Sequence, residues 1–145
     1  MLDMKVGDVV GHQSLVTFPS STSVAKAAET MAKRQVGAVL VFDGGALGGI
    51  VTDRDLVERV VAEGRNPAQT MLADVMTPDP IVVTPSHTVA ETMRVMKDRR
   101  TRHLPLKREN KIVGIVSVRD LLRAVVDERT QQDARYDDLW EGFPI

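Results

Sequence analysis

Residues 24–61 lie on residues 89–126 at a constant offset of 65 with no gap, and 12 of the 38 aligned pairs are identical. Self-similarity at a fixed period in so short a chain means two copies of one supersecondary unit. Each copy holds only about 60 residues, which is marginal for independent stability, so the halves are expected to need each other. Two copies packed face to face would offer paired, nearly equivalent clefts at their seam, where a ligand is expected.

Bulk properties exclude several classes of function. Nineteen Lys+Arg against 20 Asp+Glu give a net charge of −1, so no global basic field exists for a nucleic-acid backbone. With no cysteine there are neither disulfides nor thiolate metal sites, which fits a reducing cytoplasm. No apolar run reaches membrane-spanning length and the N-terminus has no signal-peptide pattern, so a soluble cytoplasmic protein without a membrane partner is expected.

The first copy opens with Thr22 or Ser23 as helix N-cap, after which Val24, Ala27, Ala28 and Met31 recur with helical period. Gly37 is expected to stop this helix. Ala38–Phe42 and Leu47–Val51 read as strands joined by a turn at Asp43-Gly44-Gly45. A second helix starts at Thr52 with Leu56, Val57, Val60 and Val61 on one side. The second copy follows the same plan: a helix capped by Thr88 with Val89, Thr92, Met93 and Met96, strands at 103–106 and 112–116, and a helix from Ser117 with Leu121, Leu122, Val125 and Val126. Shorter strands are expected near Leu15–Phe18 and Ile81–Thr84, and a short helix at 71–76 is ended by Pro78 and Pro80. The strand–helix–strand–strand–helix order, met twice, predicts an α/β (α+β) fold of two β-α-β-β-α units. Tyr136, Leu139, Trp140 and Phe143 fall at helical spacing, so residues 128–145 are expected to form a helical tail with an aromatic stripe for self-packing or docking.

The identities concentrate in Gly49-Ile50-Val51-Thr52-Asp53-Arg54-Asp55-Leu56 and Gly114-Ile115-Val116-Ser117-Val118-Arg119-Asp120-Leu121, where a strand ends and a helix begins. Helix starts present unpaired N–H groups and favour anions. The hydroxyls of Thr52 and Ser117 accept and donate. Asp55 and Asp120 are placed to accept from the vicinal hydroxyls of a ribose, and Arg54 and Arg119 carry planar forks suited to phosphate. The same Thr/Ser-x-x-Asp spacing is also close to a helix capping box, which would use hydroxyl and carboxylate on the chain's own backbone. Spacing alone leaves both open. The box does not account for an arginine at the same place in both copies.

With Met76-Thr77-Pro78, Val83-Thr84-Pro85-Ser86 and Arg102-His103-Leu104-Pro105-Leu106, these segments make residues 5–127 resemble a tandem pair of CBS domains. The resemblance implies repeats at 5–64 and 71–127, related by a pseudo-two-fold axis with their sheets packed at the centre. It implies clefts that bind AMP, ADP, ATP, NAD or S-adenosylmethionine, and association into a disc-like homodimer. It assigns ribose to Asp55 and Asp120, ribose and phosphate to Thr52 and Ser117, phosphate to Arg54 and Arg119, and the base to apolar and backbone groups around Val16–Phe18 and Val82–Thr84. Arg102 and His103, in a basic stretch whose first-copy counterpart ends in Gly37 and Ala38, are further phosphate candidates, so two sites would differ in affinity or phosphate count. A cation-rich helix end is the alternative reading of that stretch.

Neither a metal-ligand spacing nor a nucleophile–base constellation is present. A non-catalytic sensor is therefore expected, binding an adenine nucleotide and signalling to an unidentified protein target. The alternative is a constitutive dimerisation or docking scaffold with unoccupied clefts.

Overall fold

A computed structural model describes residues 3–11 and 15–130. Its elements in chain order are α1 (Val6–Val9), β1 (Thr17–Phe18), α2 (Val24–Arg34), β2 (Ala38–Asp43), β3 (Ala46–Thr52), α3 (Asp53–Leu56), a π-helical turn at Val57–Val61, a 3-10 turn at Leu72–Asp74, β4 (Thr77–Pro78), α4 (Val89–Arg99), β5 (His103–Arg108), β6 (Lys111–Ser117) and α5 (Val118–Thr130). This is a mixed α/β fold of two repeats. The aromatic stripe at Tyr136–Phe143 lies outside the described residues.

The described residues fall into two compact units, 15–81 and 3–11 with 82–130. These boundaries differ from those expected of the repeats, 5–64 and 71–127. A short leader at the start of each repeat explains the difference. Residues 5–11 and 71–77 match at an offset of 66, with Asp8-Val9 recurring as Asp74-Val75, and each leader is held by the unit of the other copy. In the first unit Val24 N–H donates to the Thr70 carbonyl (2.8 Å) and Leu72 N–H to that of Thr22 (2.9 Å). In the second, Val89 N–H donates to Met4 (2.8 Å) and Val6 N–H to His87 (2.8 Å). Leu72 and Val6 are both fully buried, so the leaders contribute core, not trim.

In the first unit β1 pairs parallel with β2, β2 antiparallel with β3, and β3 antiparallel with β4. Val16, Val39, Val41 and Val51 meet Val24, Ala27 and Met31 of α2, with Val60, Leu72 and Val75 completing one core. The opposite face is buried as well, at Leu40 and Ile50. In the second unit β5 and β6 repeat this hairpin, including a register slip at the equivalent place, Leu106/Lys107 for Val41/Phe42. The expected strand near 81–84 is reduced to a parallel bridge of Val83 to Leu106.

Local corrections have physical causes. Ser23, not Thr22, caps α2, its hydroxyl accepting from Lys26 N–H. That helix ends on Gln35 in the left-handed region (φ 55°), two residues before Gly37, and α4 ends likewise on Arg100 (φ 52°). The helix from Thr52 keeps α geometry for one turn, then widens, with Ala62 N–H donating to Val57. The wider turn breaks the expected stripe: Val60 is buried, but Val57 and Val61 are 60% and 75% exposed.

Gly49 lies close against β4. A Cβ there would stand 2.6 Å from Met76 Sδ and 2.9 Å from the Thr77 carbonyl. The sulfur is mobile, but the carbonyl belongs to a paired strand. Gly49→Ala is expected to cost about 1–3 kcal/mol through overpacking, read as a lowered urea midpoint.

Candidate functional site

Each unit has one junction where a long strand turns into a helix, and the two are built alike. Thr52 is extended (φ −111°, ψ 164°), and Asp53 N–H donates to the Gly37 carbonyl at 2.9 Å. Val118 N–H donates to Arg102 at 2.9 Å. The start of each helix is thereby fixed to the entry of the neighbouring strand, with Ala38 paired to Thr52 and His103 to Ser117. The fold thus brings Arg102 and His103 together with Ser117 and Asp120. At the first junction Gly37 and Ala38 occupy those places.

Both carboxylates cap their own helices. Asp55 Oδ2 accepts from Thr52 N–H (2.9 Å) while Thr52 Oγ1 accepts from Asp55 N–H (3.2 Å). Asp120 Oδ2 accepts from Ser117 N–H (3.1 Å) and Ser117 Oγ from Asp120 N–H (3.1 Å). The capping box left open by the spacing is therefore formed twice. It does not exhaust the group, because an ionised carboxylate offers about four acceptor sites and the box draws on one oxygen. Capping fixes the rotamer and leaves Oδ1 outside the box. The Asp55 side chain is 13% exposed, and its Oδ1 lies 3.8 Å from Arg59 Nε.

The arginines of the motif differ in setting. Arg54 is exposed, and its Nε donates to Glu58 Oε1 at 2.7 Å, a bond that raises its pKa above the ordinary value and keeps it cationic. Arg119 is also exposed, but the residue matching Glu58 is Arg123. Arg102 is exposed and His103 half-buried. Val16 is 8% exposed and Phe18 packs half-buried on the same core. The Val16 carbonyl accepts from Leu40 N–H within the sheet. Val82 is half-buried. Thr84 lies in a tight turn: its N–H donates to His87 Nδ1 (2.9 Å) and its Oγ1 is 3.0 Å from the same nitrogen.

Sequence reasoning missed Glu58, Arg59 and Arg123. The signal lay one helical turn past the motif, where the copies aligned at 65 read Glu58-Arg59 and Arg123-Ala124.

A family model described as CBS domain matches residues 6–62 and 72–127. The CBS domain-containing protein CBSX3, mitochondrial, of Arabidopsis thaliana is 35% identical over 125 residues, which are 83% of this chain; the chain spans 61% of the length of that relative. A protein with CBS domains from Burkholderia ambifaria has a TM-score of 0.82 at 32% identity, covering 86% of this chain and 96% of that one. A CBS domain protein from Pyrobaculum aerophilum complexed with AMP has a TM-score of 0.74 and covers 88% of this chain and 98% of that one; at 22% identity it shares the fold.

Proposed function

The chain belongs to the CBS-domain family, as a tandem pair, and from that premise we propose that it is a non-catalytic regulatory module which binds adenine nucleotides at its two junctions and signals to a partner protein by a change of conformation. One observation carries this reading: two carboxylates, each pinned by a capping box through Oδ2, keep Oδ1 outside that box at the end of the same Gly-Ile-Val-(Thr/Ser)-x-Arg-Asp-Leu segment. A pinned carboxylate is preorganised to accept from a vicinal diol, which spares part of the ordering cost of binding. The AMP held by the Pyrobaculum aerophilum protein is the kind of ligand such a group suits. Thr52 and Ser117 would serve ribose and phosphate, and the strand residues around Val16–Phe18 and Val82–Thr84 the base.

The two sites differ in the charge they offer phosphate. Residues 82–127 carry ten Lys+Arg against five Asp+Glu, and residues 15–81 carry six against eight. Arg102, His103, Arg119 and Arg123 stand where the first copy has Gly37, Ala38, Arg54 and Glu58. Longer phosphate chains, as in ADP or ATP, are therefore assigned to the second junction, and AMP to the first. Arg102→Ala is expected to weaken ATP about tenfold, as loss of a charge-assisted hydrogen bond does, and AMP at the first junction not at all. Calorimetric titration with each nucleotide checks this. The absence of cysteine supports a cytoplasmic location, and the exposed Val57 and Val61 support a homodimer.

A thermal-shift panel of AMP, ADP, ATP, NAD, GTP and S-adenosylmethionine tests the reading. A nucleotide at 100 times its Kd adds about 2.7 kcal/mol, or several degrees for a chain of this size. The complete capping boxes favour the scaffold as second reading. A transition unmoved by any nucleotide at millimolar concentration would put it first.

A further inference from the structure

We propose, resting on the reading of Asp55 as a ligand contact, that Arg59 is a positioning residue that couples occupancy of the first junction to the segment 72–78. The Arg59 guanidinium reaches two groups at once. Its Nε stands 3.8 Å from Asp55 Oδ1 and its Nη1 donates to the Val75 carbonyl at 2.8 Å. Val75 is fully buried, Met76 fills the space over Gly49, and Thr77–Pro78 pairs with β3. The residues next to the Arg59 contact thus belong to a leader packed into the same unit as Asp55.

The geometry suits a relay better than a lock. At 3.8 Å the ion pair has no hydrogen bond, so Arg59 orients Oδ1 without consuming its lone pairs. Hydroxyls donating to Oδ1 draw on the same negative charge that holds the guanidinium. Arg59 then shifts its balance toward Val75, whose carbonyl is the other group it serves. Coupling of this kind is reciprocal, so whatever moves residues 72–78 alters nucleotide affinity at Asp55. The device belongs to one copy. The residue matching Arg59 is Ala124 and the residue matching Val75 in the other leader is Val9, so the second junction has no arginine at this place.

Hydrogen exchange of residues 72–78, read with and without AMP beside AMP titration of the full chain, tests the proposal. In the wild type AMP is expected to slow exchange there. Arg59→Ala is expected to weaken by about three- to tenfold the binding step that Asp55→Ala removes, to leave the other step alone, and to abolish the AMP-dependent slowing. Arg59→Lys keeps the charge but not the fork, so it is expected to recover affinity without recovering the slowing. Arg59→Ala with wild-type affinity and an intact AMP response would overturn the proposal. So would faster exchange without AMP but an unchanged response to it, the mark of a merely structural residue. If Asp55→Ala leaves AMP binding untouched, the reading of the junction falls and this inference with it; if Asp55→Ala removes a step that Arg59→Ala does not affect, only the inference falls.

Discussion

Asp120→Ala is expected to abolish measurable nucleotide binding at the second junction, with a loss of about a hundredfold or more in affinity. Two hydroxyls of one ribose donating to a single carboxylate make two hydrogen bonds to a charged group. Each is worth about 1.5–3 kcal/mol, so their joint removal costs about 3 kcal/mol at the least. The same substitution takes away the half of the box in which Asp120 Oδ2 accepts from Ser117 N–H. That loss is expected to cost about 1 kcal/mol of stability, leaving the chain folded. Asp120→Asn separates the two effects. Its amide oxygen still accepts from Ser117 N–H, so stability is kept, while the neutral group binds ribose far more weakly than the carboxylate. Calorimetry for affinity and thermal unfolding for stability check both variants. A folded Asp120→Ala chain with undiminished affinity would leave capping as the carboxylate's whole task.

Leu72→Ala is expected to be among the most destabilising single truncations of the chain. Leu72 is fully buried in the core with Val16, Val24 and Val60, and deleting a buried leucine side chain costs about 3–5 kcal/mol including the cavity left behind. For a chain of this size that lowers the midpoint by about 10 °C or more. The effect has an address. Leu72 packs in the unit of the first copy although it precedes the second in sequence, so hydrogen exchange is expected to quicken in Val24–Arg34 before Val89–Arg99. Equal quickening in both helices, or quickening confined to Val89–Arg99, would contradict the exchange of leaders. Val6→Ala probes the other leader and removes less, about 1–2 kcal/mol, because the side chain is smaller.

Much of the fold was legible because short-range physics and long-range packing agreed. The apolar period of Val24–Met31, the Gly44-Gly45 turn and the buried run at Ala38–Val41 each had one solution, and the copy at 89–126 repeated it. The misses came where tertiary context overrode local preference. Gly37 was the natural helix stop, yet the chain turns at Gln35, whose left-handed φ recurs at Arg100. Val57 and Val61 fit a 3.6-residue stripe until the helix widened and rotated them outward. The leaders were hidden because they are short and their offset of 66 is one residue out of register with the 65 that relates the copies. At the junctions, spacing could nominate Thr52, Asp55, Ser117 and Asp120 but could not choose between a cap and a ligand site. Only geometry separates the oxygen that caps from the one outside the box. Arg59 escaped notice for a similar reason: its partner Val75 is 16 residues away and contributes a backbone carbonyl, which leaves no trace in a side-chain pattern.

A crystal structure of the chain grown with saturating AMP tests the central claim most directly. The account predicts nucleotide at a junction, its ribose hydroxyls about 2.5–3.0 Å from Oδ1 of Asp55 or Asp120, with Oδ2 still accepting from Thr52 or Ser117 N–H. Both boxes intact with no nucleotide beside either carboxylate would contradict it.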